Sequence, residues 1–581
     1  MTQRAFLDVE TSLTGRRWQG PTVEAFRLAE AMAQATRLPL ALCHALAARN
    51  IPPHEAQAYL APALRDLMPD PRRLRDMERA AHRFLQAVEK RQRIAIFADY
   101  DVDGGSSAAL LLTWLRAMGR DATLYIPDRI DEGYGPNVPA MAALGAAHEL
   151  IVCVDCGTLS HAPIAAAGCD VVVLDHHLGG EALPPALAVV NPNRQDEDGT
   201  LGHLCAAAVT FLMLVEANRQ MREAGRQGPD LMAMLDLVAL ATVADVAPLT
   251  GVNRAFVRQG LKIMARRERP GLAALSDVAR LDTAPTPYAL GFVLGPRINA
   301  GGRIGQADLG ARLLATADPM EARRLAERLD LLNHERREIE AAVRAGALAQ
   351  VEARGETGAL AWAAGEGWHP GVVGIVAARL KEATGRPAVV IGFEKGAGKG
   401  SGRSVEGVDL GAAVHLLQAE GLIEKGGGHR MAAGLSLSQD QLAQAMERLE
   451  ALLARQMGEV RPGPALRLDG LLMPSAATPE LVEEIDTAGP FGAASPAPRF
   501  AFASQQVQSR AMGTGHLRLS FGPPGQKLEA VLFNAHDTPL GAALSDPGAR
   551  LFHLAGRLEL NHWGGRSRVQ LRLEDAAFAT S

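Results

Sequence analysis

The sequence predicts an α/β protein of several domains: a parallel-sheet domain, a long helix leading into a second α/β domain, and a small β-barrel towards the C-terminus. Three observations carry this. From Arg93 onward, short Val- and Ile-rich runs alternate with Ala- and Leu-rich helical stretches, the pattern of βαβ units. From Pro319 to Arg354 no further proline occurs and Ala, Leu, Glu and Arg dominate, as in one long helix whose polar faces leave it free to bridge two domains. Beyond Ala465, apolar and polar residues alternate in short runs, as in an antiparallel barrel.

Taken in order, residues 1–75 read as a helical N-terminal region, punctuated by Pro52, Pro53, Pro62, Pro69 and Pro71 and without chemistry of its own. Residues 76–318 follow as the parallel-sheet domain with a helical extension. Its expected strands are 93–98, 122–126, 149–154 and 170–174, with a fifth near Ala186. Each is short and nearly all apolar, as strands covered by helices on both faces are. The long helix occupies 319–355, the second α/β domain 356–458 and the barrel 459–581, with expected strands in HLRLSF, KLEAVLF, FHLAGRLEL and SRVQLRL.

The chain has 581 residues and is 48% hydrophobic, enough for several cores and too much for one domain of ordinary size. No run of about 18 uncharged apolar residues occurs and the N-terminal stretch lacks the apolar core of a signal peptide, so a cytoplasmic location is expected. Five cysteines (Cys43, Cys153, Cys156, Cys169, Cys205) fit a reducing compartment and make no disulfide framework. Lys and Arg number 60 against 65 Asp and Glu, a formal charge of −5, so a nucleic-acid partner would have to meet a local patch. An aromatic content of 4% offers few stacking platforms for bases and shifts the expected grip to the phosphate backbone.

The candidate chemistry sits at strand and helix ends. The first strand runs into Asp99, Asp101 and Asp103, after which Ser106 is expected to cap the next helix. Later strands deliver Asp155, and then Asp175, His176 and His177. In an open parallel sheet the carboxyl ends of the strands line one crevice, so segments far apart in sequence converge there. Asp245 closes a largely apolar helical segment, where an unpaired carboxylate would be costly. A single Asp after a strand is usually a turn former. Three carboxylates in five residues, joined by Asp-His-His, repel one another unless a cation intervenes. Carboxylates mixed with imidazoles and without a thiolate cluster favour Mn²⁺ or Mg²⁺. The CxxC spacing of Cys153 and Cys156 has no second CxxC to complete a zinc site, and buried, inert cysteine is the reading adopted.

In order and spacing, ADYDVDGGSS, VDCGT, VLDHH and ATVADV resemble the four phosphoesterase motifs of the DHH superfamily, named for the triplet present here as Asp175, His176 and His177. GPRINAGGRIG, GWHPGVVGIVAARL, GSGRSVEGVDL and GGGHRMAAGL resemble conserved parts of the RecJ-type exonucleases and their associated DHHA1 domain. GPFGAASPAPRF resembles the entry to that family's oligonucleotide-binding (OB) barrel, and the likeness runs from about Pro62 to the C-terminus. The resemblance therefore implies a DHH domain, a DHHA1 domain and an OB-fold-like nucleic-acid-binding domain. The implied activity is that of a metal-dependent, single-stranded-DNA-specific 5′→3′ exonuclease releasing mononucleotides in DNA recombination and repair, with two Mn²⁺ or Mg²⁺ ions per active site.

Carried over residue by residue, the family pattern assigns metal coordination to Asp101, Asp103, Asp155, His176 and Asp245, with Asp99 as a further ligand and Asp155 as the bridging one. His177 would face the scissile phosphate and Asp175 would orient the histidines. Arg403, Ser404 and His429 would contact the DNA backbone, and Arg297 and Arg303 would hold phosphates. Gly105 and Cys156 depart from the family pattern, which usually has a larger residue and Asn there. The implied partner is single-stranded DNA, with a single-strand-binding protein and a RecQ-type helicase to deliver it to a monomeric enzyme away from membranes. Two rivals stand beside this reading. A DHH enzyme for small substrates would have no need of the long helix and barrel, and a scaffold without catalysis would have no need of an intact ligand set.

Overall fold

The computed structural model describes residues 4–128, 132–355, 358–457, 465–536, 538–563 and 566–579. The chain divides into two units. One comprises Asp70–Ala247 and Gln259–Arg461, the other Met1–Pro69, Pro248–Arg258 and Pro462–Ser581. The domain junctions expected at 355–356 and 458–459 reach into residues outside the described ones.

The first unit opens on five parallel strands: β1 (Ile94–Ala98), β2 (Thr123–Tyr125), β3 (Leu150–Val154), β4 (Asp170–Leu174) and β5 (Ala188–Val190). They stand in the order β2-β1-β3-β4-β5, close to the expected positions. β1 and β3 are buried along their whole length, as strands without alternation must be. The register aligns Ala98, Val154, Leu174 and Val190 across four strands. The next residue of each strand, Asp99, Asp155, Asp175 and Asn191, therefore emerges on the same edge.

The helix after β1, α1 (Val102–Ala117), begins four residues before the expected cap. Asp101 caps it, accepting from the amides of Asp103 at 2.9 Å and Gly104 at 3.1 Å. Ser106 is instead buried within the helix. A carboxylate that can reach two free amides nucleates the helix before a later hydroxyl can. Gly104 permits the tight entry, since a Cβ there would lie 2.4 Å from the Asp99 carbonyl oxygen. At Gly105 the nearest atoms to such a Cβ belong to Ala311, at 3.5 Å, so the departure from the family pattern leaves room for a methyl group.

Two apolar helices, α2 (Ala206–Glu223) and α3 (Leu235–Ala244), pack beside α1, and α4 (Gly295–Ile304) follows a π-helical turn. The expected long helix is α5 (Pro319–Arg354), 36 residues capped by Asp318, which accepts from the Met320 amide at 2.9 Å. Its buried side, including Leu325, Leu329, Val343 and Val351, packs first on helices of the parallel-sheet domain and then on α6 (Pro370–Thr384). The second α/β domain carries a mixed sheet of β6 (Ala361–Glu366), β7 (Ala388–Glu394), β8 (Ala397–Arg403), β9 (Lys425–His429) and β10 (Ala432–Ser438), ordered β9-β10-β8-β7-β6.

In the other unit β11 (Gly470–Leu471), β12 (Phe500–Met512), β13 (His516–Phe521), β14 (Leu528–Leu532), β15 (Leu551–Trp563) and β16 (Arg566–Phe578) build the barrel. Pairing of β12 with β15 closes it around Phe500, Phe502, Phe521 and Phe552. It is not wholly antiparallel, because β14 pairs with β16, and β11 with β12, in parallel. Nor is the N-terminal region wholly helical. Strand Arg17–Gln19 pairs with Ala465–Arg467, and the fully buried Trp18 donates to Asp575 at 2.9 Å. A three-residue strand is too short to show periodicity in sequence. Among the described residues no helix is long and apolar enough to cross a membrane.

These glycines predict opposite outcomes for two adjacent substitutions. Gly104→Ala should displace the Asp99–Asp103 turn and abolish activity. Gly105→Ala should be tolerated and raise stability by about 0.5–1 kcal/mol through helix propensity. Thermal melts and activity assays on both variants check this.

Candidate metal centre

Each acidic residue reaches the centre by a different local device. Asp99 follows β1 and accepts from the Tyr100 amide at 2.8 Å. Asp101 is the cap of α1. Asp103, 1% exposed, points to the start of α2, accepting from the amides of Ala206 and Ala207 at 2.7 Å each, a helix N-terminus satisfying a buried carboxylate. Asp155, 2% exposed, ends β3 with a positive φ of 60°, an uncommon conformation for a residue with a side chain. Asp245 forms the C-terminal cap of α3.

Three groups of ligand atoms result. Asp99, Asp101 and Asp155 form one, Asp103, His176 and Asp245 another, Asp155, His176 and His177 form a third that overlaps both, and in each the atoms lie within 4.8 Å of one another. His176 Nε2 lies 3.4 Å from Asp155 Oδ1, 3.6 Å from Asp103 Oδ2 and 3.8 Å from Asp245 Oδ2. Asp155 thus belongs to the first group and, through His176, adjoins the second. Its Oδ1 is buried and accepts no hydrogen bond among the described residues, although Asp103, Asp101 and Asp99 are charged neighbours. A carboxylate oxygen left that way is costly unless a cation completes it. The donor set, carboxylates with one imidazole, fits Mn²⁺ or Mg²⁺.

The electrostatics bear the same mark. Burial first, and then neighbouring carboxylates, raise the pKa of Asp155 well above its ordinary value. Burial, followed by Asp103 and Asp101, raises that of Asp245 to about 8. Burial also raises that of Asp103, against a smaller opposing effect of His176. Asp175 behaves oppositely. Burial would raise its pKa, but the hydrogen bonds from His177 and Thr158 hold it below the usual carboxylate range.

Asp175 is a hub rather than a member of any of these ligand groups. Oδ1 accepts from the His176 amide at 2.7 Å and from His177 Nδ1 at 2.8 Å, and Oδ2 accepts from the Thr158 hydroxyl at 2.7 Å. Burial would lower the His177 pKa, yet the bond to Asp175 and its charge raise it to about 9. Tyr134, which the motifs did not single out, donates to the Asp155 carbonyl at 3.1 Å, and its hydroxyl lies 3.2 Å from His177 Nε2. Asn191 donates to the Thr158 hydroxyl and the His177 carbonyl, both at 2.8 Å, while Asn299 accepts from the Val102 amide at 3.0 Å. Asn191 could have been found by the strand-end argument that found the aspartates. Tyr134 left no comparable signal. Cys153 and Cys156 are buried and free.

The candidate phosphate-binding residues occupy varied settings. Arg297 on α4 donates to Asp330 Oδ1 and to the Val293 carbonyl, both at 2.8 Å, so an ion pair already holds it. Arg303 reaches the Gly371 carbonyl at 3.3 Å. Arg403 and His429 are both in register with Ala432 on opposite sides of β10, which places them on one face of the sheet. Ser404 is buried and its hydroxyl donates to the Val408 carbonyl at 2.9 Å. It braces the turn after β8.

Comparison with known proteins agrees along the chain. Residues 93–242 match the model of the DHH family N-terminal domain, 356–455 the DHHA1 domain and 468–575 the RecJ OB domain. The single-stranded-DNA-specific exonuclease RecJ of Dickeya dadantii is 40% identical over 535 residues, 88% of this chain and 92% of that one. Its Escherichia coli counterpart is 37% identical, over 86% and 90%. The crystal structure of Thermus thermophilus RecJ with Mn²⁺ superposes with a TM-score of 0.81 at 29% identity, covering 96% of this chain and 79% of that one. The structure with Mg²⁺ gives 0.75 at 27% identity.

A carboxyl whose folded-state pKa exceeds its unfolded value favours the fold at low pH. That contribution is lost as pH rises from about 4 through the folded value, about 8 for Asp245. The metal-free protein should therefore lose stability across this window while Mn²⁺ binds more tightly, so the Tm gain on adding Mn²⁺ should be larger at the upper end than at the lower. Asp155→Asn should raise the metal-free Tm by about 2–4 °C and shrink the Mn²⁺ gain. Scanning calorimetry at the two ends of the window measures both.

Proposed function

The chain belongs to the RecJ family of single-stranded-DNA-specific exonucleases, and on that premise we propose that it degrades single-stranded DNA from the 5′ end to mononucleotides. The observation that carries the reading is the shared position of Asp155 between two groups of ligand atoms. Asp99, Asp101 and Asp155 would hold one divalent ion, and Asp103, His176 and Asp245, again with Asp155, the second. Bound there, Mn²⁺ or Mg²⁺ supplies an activated water for attack on phosphorus and neutralises charge on the phosphoryl oxygens.

The chain's own groups do the positioning. Asp175 holds His177 through Nδ1, which fixes the ring and leaves Nε2 beside the Tyr134 hydroxyl to donate to an oxygen of the scissile phosphate. Thr158 and Asn191 keep Asp175 and the His177 backbone in place. Arg403 and His429 on their common face contact the strand's phosphates, with Arg303 nearer the centre. Arg297, once released from Asp330, would join them, whereas Ser404 acts through the turn it braces. The barrel offers a further binding surface for single strands. A single-strand-binding protein and a RecQ-type helicase would deliver substrate to a cytoplasmic, monomeric enzyme in recombination and repair.

Asp155→Ala should abolish hydrolysis while leaving most single-strand affinity, because phosphate contacts elsewhere supply it. With 5′- and 3′-labelled single strands and blunt duplex under one metal condition, release should begin at the 5′ end and spare the duplex. Arg403→Ala should reduce cleavage of 5′-phosphorylated ends about tenfold. Equal attack from both ends would refute the polarity.

A further inference from the structure

The unit that carries the barrel contains a half-open cavity of about 930 Å³, walled by the N-terminal helices, the start of helix Gly251–Met264 and the segments flanking Leu468 and Ser495. Nothing in the exonuclease reading uses it. Four arginines line it, Arg49, Arg254, Arg467 and Arg499, against the carboxylates of Glu55 and Asp469. Arg499 is committed to Glu574 at 2.6 Å. Arg254 is not matched by any such charge. It is 2% exposed, its guanidinium lies 3.8 Å over the Tyr59 ring, and Nη2 donates to the carbonyls of Ala488 at 2.9 Å, Gly489 at 3.0 Å and Tyr59 at 3.2 Å. Its Nε and Nη1 have no hydrogen-bond partner among the described residues.

Two further groups in the same wall share that condition. Arg49 bonds the Ala45 and Pro496 carbonyls but its Nε has no partner, and neither does the hydroxyl of the buried Ser495. Burial, with the Arg49 and Arg258 guanidiniums nearby, pushes the Arg254 pKa down. Asp469 is a charged neighbour of Arg49, but among the described residues Arg254 meets only neutral carbonyls and an aromatic face, which do not discharge a guanidinium as an anion does. The volume suits a small organic ligand, and Ile51, Pro62 and Leu67 give the cavity an apolar wall beside its basic one.

We propose that this cavity binds the phosphate of a nucleotide-sized ligand, with Arg254, Arg49 and Ser495 around the phosphate and the base against the apolar wall. The phosphate arrives on a free nucleoside monophosphate or on the end of a strand. The proposal rests on the exonuclease reading only for the abundance of such ligands, since the enzyme would generate them.

The test uses the full chain with EDTA, so that no hydrolysis occurs and the outcome is independent of the nuclease assay. Binding of 5′-dAMP is followed by calorimetry and by hydrogen exchange over residues 45–62 and 488–499, with deoxyadenosine as the phosphate-free control. Saturable binding should protect both segments, and deoxyadenosine should bind at least about tenfold more weakly, the loss of one charge-assisted contact. Arg254→Gln should weaken dAMP binding by a similar factor. Should that variant misfold, Ala58→Trp, an exposed position in the wall, obstructs the cavity while keeping every arginine, and should do the same at unchanged Tm. Competition by a 5′-phosphorylated oligonucleotide identifies the strand end as the source, and its absence identifies the free nucleotide. No saturable binding, equal binding of deoxyadenosine, or binding that survives Ala58→Trp would overturn the proposal.

Discussion

Mutual repulsion among buried carboxylates is the constraint on which this structure is organised. Asp99, Asp103, Asp155 and Asp175 are all nearly sealed from solvent, with Asp101 and Asp245 beside them. The parallel sheet brings three of them to one edge by register alone. The rest of the first unit answers the charge. The α2 N-terminus takes Asp103, the α1 amides take Asp101, and the histidines and Thr158 take Asp175. What is left is the Asp155 oxygen that accepts no hydrogen bond among the described residues, and a site with such an acceptor among overlapping groups of ligand atoms is suited to hold ions. A fold stabilised for its own sake would carry Asn or a hydrophobic residue there.

The contrast between Asp175 and Asp155 shows how neighbouring positions on one sheet edge come to do different work. Both are buried and both follow a strand. Asp175 accepts five hydrogen bonds, from the Thr158 amide and hydroxyl, the His176 and His177 amides and the His177 ring, and stays ionised without a metal. Asp155 accepts none through Oδ1 and is pushed towards its protonated form. The same side chain is held ionised in one setting and left able to take a cation in the other because of the donors around it.

Much of this was legible in the sequence because strand ends and spacing are local signals. Unbroken apolar runs located the parallel strands, and their ends located Asp99, Asp155 and Asp175. The long helix was legible from composition over 36 residues. Signals that depend on tertiary context were not. The cap of α1 moved from Ser106 to Asp101 because the motif's own carboxylate closes the turn. Ser404 reads as a phosphate contact beside Arg403 but turns its hydroxyl into the fold. Tyr134 reaches His177 from a loop with no periodicity, and Trp18 joins the barrel through a strand of three residues. Arg254 looks like any helical arginine until its burial beneath Tyr59 is known.

On the proposed reading, Asp155 would serve two ion sites at once. Electron paramagnetic resonance of the full chain titrated with Mn²⁺, alongside calorimetric stoichiometry, tests it most directly. Two Mn²⁺ per chain with an exchange-coupled spectrum are expected, and conversion by Asp155→Asn to weaker, uncoupled binding. A single uncoupled Mn²⁺ in the wild type, or a coupled pair that survives Asp155→Asn, would contradict it.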